Sequence, residues 1–324
     1  MKGSNRLNLA LAVDIGGSKI AVALVDRHGR VHHRQQEPTA CEGGQAVVEQ
    51  IVRLAVALRT ITSREISALG VAVPGALDPL SGFVHWAPNL PGWRDLPLGA
   101  LLHDALDLPV FVGYDGHMAV LGEWWCGAGR GARNVVCLVI GTGIGGGIIL
   151  DGRLYQGRNN IAGAAGWMVV QRELDCGGPG RSLGNLESLA AGPAVVAAVE
   201  RALAAGTPST LAGKRVTAPD VFAAAEAGDA LAQRVVGEAA QALGVAAAGI
   251  VSLLNPDVLI LGGGIGSSVS AYLTAVREAI DHWAQPLSAR SVRVVQATLG
   301  NDANLVGVAR MVFQGLRSGG VQGA

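Results

Sequence analysis

The apolar and polar positions of the chain change in blocks that predict the strands and helices of a mixed α/β protein. Two apolar runs lie within residues 7–26, LNLALAVDIGGSKIAVALVD, and the glycines between them predict a hairpin, with a third strand near Val31. Apolar residues at helical intervals follow over residues 45–58, and residues 68–73 form a continuous apolar run. The order strand, strand, strand, helix, strand predicts a mixed sheet.

The next stretch predicts a helix over residues 98–106, a short strand over 109–112 and a second helix over 118–125. Asp115 therefore stands between a strand and a helix. Residues 152–184 are rich in Gly, Asn and Arg and lack helical periodicity, so they predict a loop region beside a binding cleft.

The second half of the chain repeats this plan. Strands are predicted over residues 134–140 and 146–150, on the two sides of a glycine-rich turn, and a strand over 258–261 enters another such turn. Helices are predicted over 194–205 and 230–254. A glycine-rich turn near the start of each half is typical of a duplicated fold with a cleft between the copies.

Length and charge narrow the class of protein. A chain of 324 residues exceeds the roughly 100–200 residues of one domain, so two domains or one split domain are expected. The formal charge of zero, with 15% charged residues, provides no field that would attract nucleic acid or an anionic membrane. No run approaches the roughly 20 apolar residues of a membrane helix, and no signal peptide precedes the first strand. We expect a cytoplasmic protein with a small-molecule ligand.

The cysteines give no sign of a disulfide framework or a metal knuckle. Cys41, Cys126, Cys137 and Cys176 are far apart, and none forms a CxxC pair. Closely spaced pairs are the pattern expected of either site, so buried or idle thiols are predicted.

Three glycine-rich turns are candidates for phosphate binding: DIGGSK (14–19), GTGIGGG (141–147) and GGGIGSS (262–268). Glycine lets backbone N–H groups approach a phosphate closely, although a plain hairpin or bulge explains each turn equally simply. The first turn opens into a second strand, which excludes a dinucleotide fingerprint and a P-loop. The candidate residues for ATP are Asp14, Gly16, Gly17, Ser18, Lys19, Gly141, Thr142, Gly143, Gly262, Gly263 and Gly264.

Asp14 ends the first strand and fits two roles. Its carboxylate is placed to hold a hydrated Mg²⁺ beside the phosphates, because this ion keeps several waters and takes few protein ligands. Capping of the glycine turn is the other role, and the sequence leaves both open.

Eight motifs, in order and spacing, resemble the ROK (repressor, ORF, kinase) family of sugar kinases. They cover about residues 9–312: VDIGGSKIAVALVD (13–26), LGVAVPGALDPLSG (69–82), APNLPGW (87–93), GYDGHMAVLGE (113–123), VIGTGIGGGIILDGRLYQG (139–157), AGAAGWM (162–168), LESLAAG (186–192) and NPDVLILGGGIG (255–266). The resemblance implies the two-lobed actin-like, ribonuclease-H-like ATPase fold of sugar kinases, hexokinase and Hsp70.

This fold implies a division of the chain into two lobes with ATP and a sugar between them. Residues 1–117 are expected to form the N-terminal lobe and residues 118–304 the C-terminal lobe, with the helix of residues 305–324 packing back on the first. Mg²⁺ with ATP as co-substrate and a homodimer are also implied by the resemblance.

Two aspartates match the family's catalytic base in different ways. NDAN (301–304) has the residue types of the family's catalytic tetrad. Asp115 instead has the position of the catalytic aspartate, between a strand and a helix that ends in LGE. The resemblance therefore implies Asp115 as the base that accepts the hydroxyl proton, with a helix N-cap as the structural alternative. Asp302 is predicted to start the last helix, and Asn304 to lie in its first turn.

The sugar contacts of the family match only in part. By resemblance, Gly75, Asn89 and Glu187 would hold the sugar, and each has a plain structural role as a turn or capping residue instead. Carboxylates and amides at such positions distinguish sugar epimers through paired hydrogen bonds.

Several positions depart from the family pattern. The Asn before the catalytic aspartate is Tyr114, and the Glu and His of GExGH are Ala164 and Trp167. The zinc motif is reduced to Cys176, so no structural zinc is predicted. Tyr114 and Trp167 would either contact the sugar, or an acyl or aryl group on it, or fill the volume of the lost zinc loop.

These features favour an ATP-dependent kinase for a hexose, amino sugar or related polyol. A sugar-binding sensor without catalysis is the alternative, because the pocket is altered. A DNA-binding repressor is disfavoured, because the first strand begins by Leu7 and leaves no room for a helix-turn-helix, and the charge is neutral.

Overall fold

The computed structural model describes residues 9–87, 90–172, 184–264 and 269–318. Its strands are β1 (Leu9–Ile15), β2 (Lys19–Asp26), β3 (Val31–Pro38), β4 (Ile66–Val73), β5 (Ala76–Asp78), β6 (Phe83–Trp86), β7 (Arg94–Leu96), β8 (Val110–Tyr114), β9 (Val135–Ile140), β10 (Ile144–Leu150), β11 (Arg153–Leu154), β12 (Val258–Gly262) and β13 (Arg293–Gln296). Its helices are α1 (Gly44–Thr60), α2 (Leu98–Leu106), α3 (Asp115–Cys126), α4 (Glu187–Ala190), α5 (Gly192–Ala204), α6 (Ala218–Glu226), α7 (Ala230–Leu254), α8 (Val269–Trp283), α9 (Pro286–Ser291) and α10 (Ala303–Arg317).

Two five-stranded sheets share one plan. The first has the order β3-β2-β1-β4-β8, and the second β11-β10-β9-β12-β13. In each, a central strand pairs antiparallel with its hairpin partner on one side and parallel with a later strand on the other. The hairpin near the N-terminus, the third strand and the repetition of the plan are confirmed.

A small sheet of β5, β6 and β7 stands beside the first sheet and was not predicted. Its strands have only three or four residues, too few for an alternating pattern to be visible in the sequence. Trp86 pairs with Ala76 and Arg94 within it. A Cβ at Gly75 would overlap the Trp86 carbonyl oxygen, so only glycine allows this close approach.

Three apolar clusters hold the fold together. One lies between the first sheet and helices α1 and α2, and another between the second sheet and α5 to α8. The third joins the two sheets through α3 and α10 and includes Ala12, Val120, Cys137 and Val308. Helix α10 also packs on β1, β2, β4 and β8. The two sheets are therefore connected by a packed pair of helices.

Helix α7 is long and apolar enough to cross a membrane by length and composition, and it is the one such helix among the described residues. In the fold, 61% of its most apolar window is buried, and it packs against α6 and α8. This burial is that of a core helix in a globular protein.

Helix α3 begins at Asp115, three residues before the predicted start. Residues 116–123 are all buried, so no polar face marks its first turn in the sequence. Asp115 therefore lies inside the helix start, and the boundary predicted between residues 117 and 118 falls within its first turn.

A candidate active site between the two sheets

A cleft of about 460 Å³ opens where the glycine turns of both sheets face each other. This size is typical of a small-molecule site. Ten residues predicted for catalysis or binding line it: Gly16, Gly17, Gly75, Tyr114, Asp115, Gly141, Thr142, Gly143, Trp167 and Glu187. The fold thus brings together Gly16 and Glu187, which are separated in sequence by about half of the chain.

The first glycine turn connects β1 to β2. The Gly16 N–H donates to the Lys19 carbonyl at 2.9 Å, and the Thr39 hydroxyl donates to the Gly16 carbonyl at 2.7 Å. Ser18 and Lys19 do not line the cleft, and Lys19 is exposed. The backbone of Gly16 and Gly17 is therefore the part of this turn that faces a ligand.

The second glycine turn connects β9 to β10 and is fixed at both sides. The Gly141 N–H donates to the Gly143 carbonyl, and the Gly192 N–H donates to the Gly141 carbonyl, both at 2.9 Å. The Ile144 N–H donates to the Glu187 carboxylate at 2.7 Å. A turn held this way presents its amides in a fixed arrangement, as phosphate binding requires.

The third glycine turn packs against the end of β9 and the start of the second glycine turn, on residues 140 and 141. Gly262 is buried in β12, and Gly263, with φ of 115°, lies against Ile140. A Cβ at Gly141 would be 3.8 Å from the Gly264 nitrogen. None of these three glycines lines the cleft, and residues 265–268 lie outside the described residues. Their contact with ATP stays a prediction.

Asp115 stands in the first turn of α3, half-buried on the cleft wall. Its Oδ1 accepts a hydrogen bond of 2.7 Å from the Gly116 N–H. Burial, followed by the charge of Asp14, raises the pKa of Asp115 to about 7. A carboxylate of this pKa is suited to accept a proton near neutral pH.

Asp14 stands near the end of β1, two strands away from β8, whose last residue precedes Asp115, and Asp14 is not among the residues that line the cleft. Burial raises its pKa, while a hydrogen bond from Asn304 and the charges of Lys19 and Arg34 act in the opposite direction. The Asn304 side-chain amide donates to Asp14 Oδ1 at 2.8 Å. The charge of Asp14 raises the proton affinity of Asp115, so a cation bound at Asp14 would favour the ionised form of Asp115.

The ROK family model matches residues 10–314. The chain belongs to the ROK family. A glucokinase of Halalkalibacterium halodurans is 33% identical over 317 residues, which cover 94% of each chain. The structure of a ROK family glucokinase from Streptomyces griseus, in complex with glucose and AMPPNP, has a TM-score of 0.81 and 31% identity and covers 95% of this chain and 100% of that chain.

The same fold also serves regulators of this family. A ROK family transcriptional regulator, a homologue of the E. coli MLC protein, has a TM-score of 0.87 at 26% identity and covers 98% of this chain and 82% of that chain. The two glucokinases described above exceed 30% identity over nearly the full length of this chain, whereas the regulator is 26% identical. This ROK protein is an ATP-dependent sugar kinase with the two-lobed actin-like fold.

The altered sugar positions of this ROK kinase lie together on the cleft. Ala164 and Trp167 line it beside Glu187, and Trp167 is 40% exposed. Burial raises the pKa of Glu187, against the hydrogen bond from Ile144. Asn89 and Cys176 lie outside the described residues. Tyr114 and Trp167 therefore face the ligand space.

Tyr114 is held in place by its neighbours. Its ring meets His117 edge-to-face, with centroids 5.1 Å apart. Burial and the charges of Asp115 and Glu187 raise its pKa, so the hydroxyl keeps its proton and acts as a donor. The His117 Nε2 donates to the Ala162 carbonyl at 2.9 Å, which fixes the loop that carries Ala164 against α3.

Two large apolar residues with exposed side chains in the cleft were not predicted from the sequence. Trp86, 36% exposed, and Ile161, 39% exposed, line the cleft with Trp167. Trp86 immediately precedes the APNLPGW motif, which was the one available signal, but its strand was not predicted. The cleft mouth is therefore more apolar than the sequence suggested.

Asp302 is the N-cap residue of α10, in agreement with the prediction, and it does not line the cleft. Its side chain makes no capping hydrogen bond. The preceding 3-10 turn gives Asp302 a helical conformation, with φ of −98° and ψ of −4°, and its carboxylate pairs instead with Arg34 at 3.0 Å.

Proposed function

We propose that this kinase transfers the γ-phosphate of ATP to a hydroxyl of a hexose or amino sugar, with Asp115 as the general base. One observation supports this most directly: Asp115 lines the same cleft as the backbone of the first two glycine turns. A proton acceptor beside two phosphate-binding turns is the arrangement that transfer to an alcohol needs.

The proposed step exchanges one phosphorus–oxygen bond for another and transfers one proton. The sugar hydroxyl oxygen bonds to the γ-phosphorus, the bond from that phosphorus to the bridging oxygen breaks, and ADP leaves with the electron pair. The hydroxyl proton passes to the Asp115 carboxylate. Amides of Gly16, Gly17 and residues 141–143 would hold the β and γ phosphates as charge moves onto ADP.

We place magnesium at Asp14, which precedes the glycine turn whose Gly16 and Gly17 line the cleft. No group of three His, Cys, Asp or Glu that could hold a metal is found among the described residues, so a cage made of protein ligands is not present there. Mg²⁺ instead takes one or two carboxylates with waters and phosphates. Asp14 would hold the hydrated ion, which would neutralise phosphate charge when ATP is bound.

The sugar would lie between Glu187 and the wall formed by Gly75 and Tyr114, with Asn89 as a further contact. Glucose is the first sugar to test, because the two relatives above 30% identity described earlier are glucokinases. Ala164 provides no carboxylate, and Trp167 provides an apolar ring with one N–H donor. We therefore expect a substrate preference different from that of a glucose kinase, in favour of acylated or aryl-substituted sugars.

An ADP-release assay tests the proposal. MgATP is supplied with a panel of hexoses, N-acetylhexosamines, deoxy sugars and inositols, and wild type is compared with Asp115→Asn. We expect turnover for at least one sugar and a loss of 10²-fold or more in kcat for the variant. Equal rates for both proteins would remove Asp115 as the base, and silence across the panel would favour the sugar-binding sensor.

The lobe division and the assembly remain proposals of the same kind. We propose lobes of residues 1–117 and 118–304, with α10 returning to the first, and a cytoplasmic homodimer that binds neither nucleic acid nor membranes. The packing of α10 on β1 and β4 supports the return of the last helix. Light scattering after gel filtration would show a mass near twice 33.0 kDa if the dimer is right.

A further inference from the structure

The turn of residues 301–304 is not the catalytic loop that its spelling suggests, yet three of its side chains reach the first phosphate turn and its neighbours. Asn304 donates to Asp14 Oδ1 at 2.8 Å. Lys19 donates to Asn301 at 3.4 Å, and Asp302 pairs with Arg34 at 3.0 Å. Residues about 290 positions apart in sequence are thereby connected.

The turn is itself anchored to the helix that begins at Asp115. Glu123 on α3 is completely buried, and its carboxylate accepts hydrogen bonds from the backbone N–H groups of Thr298 and Leu299, the shortest at 2.8 Å. Charge-assisted bonds of this kind are short and strong. The segment that leads into the turn is therefore hydrogen-bonded directly to α3.

Close helix packing adds to this anchor. A Cβ at Gly122 on α3 would overlap the carbonyl oxygen of Ala303, at the start of α10. The backbones of α3 and α10 thus touch next to Asn304. These contacts consequently connect Asp14 on β1 to α3, the helix that carries Asp115. In the sheet itself, β4 lies between β1 and β8, the strand that precedes α3.

The Asn304 contact occupies one carboxylate oxygen of Asp14. Among the described residues, no hydrogen bond to Asp14 Oδ2 is found. An amide fixes the direction of the carboxylate without adding a positive charge, whereas Lys or Arg at the same place would neutralise it. The nearby cations Lys19 and Arg34 contact Asn301 and Asp302 instead.

We propose that Asn304 is a positioning residue, which orients Asp14 so that its second oxygen is available to the cation bound with the nucleotide. The inference rests on the placement of Asp14 on the phosphate side under Proposed function. It assigns a role in nucleotide binding to a residue outside the cleft lining.

A double-mutant cycle tests it without turnover. Binding of AMPPNP is measured calorimetrically for wild type, Asn304→Ala, Asp14→Asn and the double variant, each with Mg²⁺ and with EDTA. We expect Asn304→Ala to weaken binding about tenfold with Mg²⁺ and less than twofold with EDTA. The same change should cost less than twofold when Asp14 is already Asn.

Other outcomes overturn the proposal. An unchanged affinity with Mg²⁺ would show that Asn304 does not act, and an equal loss in both Asp14 backgrounds would show a general structural role. Asn301→Ala is the matched comparison, because its contact is longer and exposed, and it should cost less than Asn304→Ala. Thermal unfolding of each variant checks that it is folded.

The double-mutant cycle measures nucleotide binding and needs no sugar substrate. A wild-type protein that binds AMPPNP with Mg²⁺ but phosphorylates no sugar would remove the proposed reaction and leave the Asn304 result interpretable. If the wild-type protein phosphorylates a sugar but Asn304→Ala binds AMPPNP as tightly as wild type, the proposed reaction stands and the proposed role of Asn304 is removed.

Discussion

The Glu187 carboxylate accepts a hydrogen bond of 2.7 Å from the backbone N–H of Ile144, directly after the second glycine turn. A residue that we propose for sugar binding thus also fixes the turn that we propose for phosphate binding. If both proposals hold, the shape of each substrate's pocket depends on this one contact.

Two substitutions of Glu187 separate these functions. Glu187→Gln keeps an oxygen for Ile144 but loses the charge, so the KM for the sugar should rise about tenfold and the KM for ATP should change less than twofold. Glu187→Ala removes both, so both KM values should rise. Steady-state kinetics with each substrate varied measures the difference, and an equal effect of Gln on both KM values would contradict the assignment.

The pH dependence of kcat/KM for the sugar should report Asp115. Its pKa is raised to about 7 by burial and by Asp14, and the base must be unprotonated, so activity should fall about tenfold for each pH unit below 7. Above pH 8 it should be level. A profile that is flat between pH 5 and 8 would exclude Asp115 as the titrating base.

The same carboxylate should lower the stability of the fold. Because its pKa is raised, the folded protein keeps the proton between about pH 4 and 7 while the unfolded chain loses it, so the free energy of unfolding falls as pH rises through this range. Asp115→Asn avoids the buried charge and should stabilise the protein at pH 8 by roughly 1–3 kcal/mol, with no gain at pH 4. Urea unfolding at both pH values checks this, and a variant that is less stable at pH 8 would contradict it.

Trp167 should set the preference among sugars. Trp167→Ala removes an aromatic surface on the cleft, so the KM should rise about fivefold to twentyfold for acylated or aryl-substituted sugars and less for an unsubstituted hexose. Trp283→Ala, on α8 and 67% exposed away from the cleft, is the matched control. An equal rise for all sugars would indicate that Trp167 only fills space.

Much of the fold and of the candidate site was predictable because it depends on local patterns. The hairpin of β1 and β2 follows from two apolar runs joined by glycines, and helix α2 follows from helical spacing and has the predicted ends. Glycine turns between strands indicated the phosphate side. The place of Asp115 between a strand and a helix, together with the motif resemblance, separated it from Asp302.

The small sheet, Trp86 and Ile161 were not predictable in this way. Strands of three or four residues carry too few positions for a period of two, and the exposure of a tryptophan depends on which segments surround it. The early start of α3 was hidden because residues 116–123 are all buried, so polar and apolar positions do not alternate at a helical period there.

By itself, the sequence determined which segments form strands, helices and glycine turns, since these follow from the spacing of side chains along the backbone. Only the tertiary structure decided that Asn304 reaches Asp14, that Glu187 holds Ile144, and that burial raises the pKa of Asp115 to about 7. Contacts between distant residues and the loss of solvent around a carboxylate depend on how sheets and helices pack, which no local period encodes.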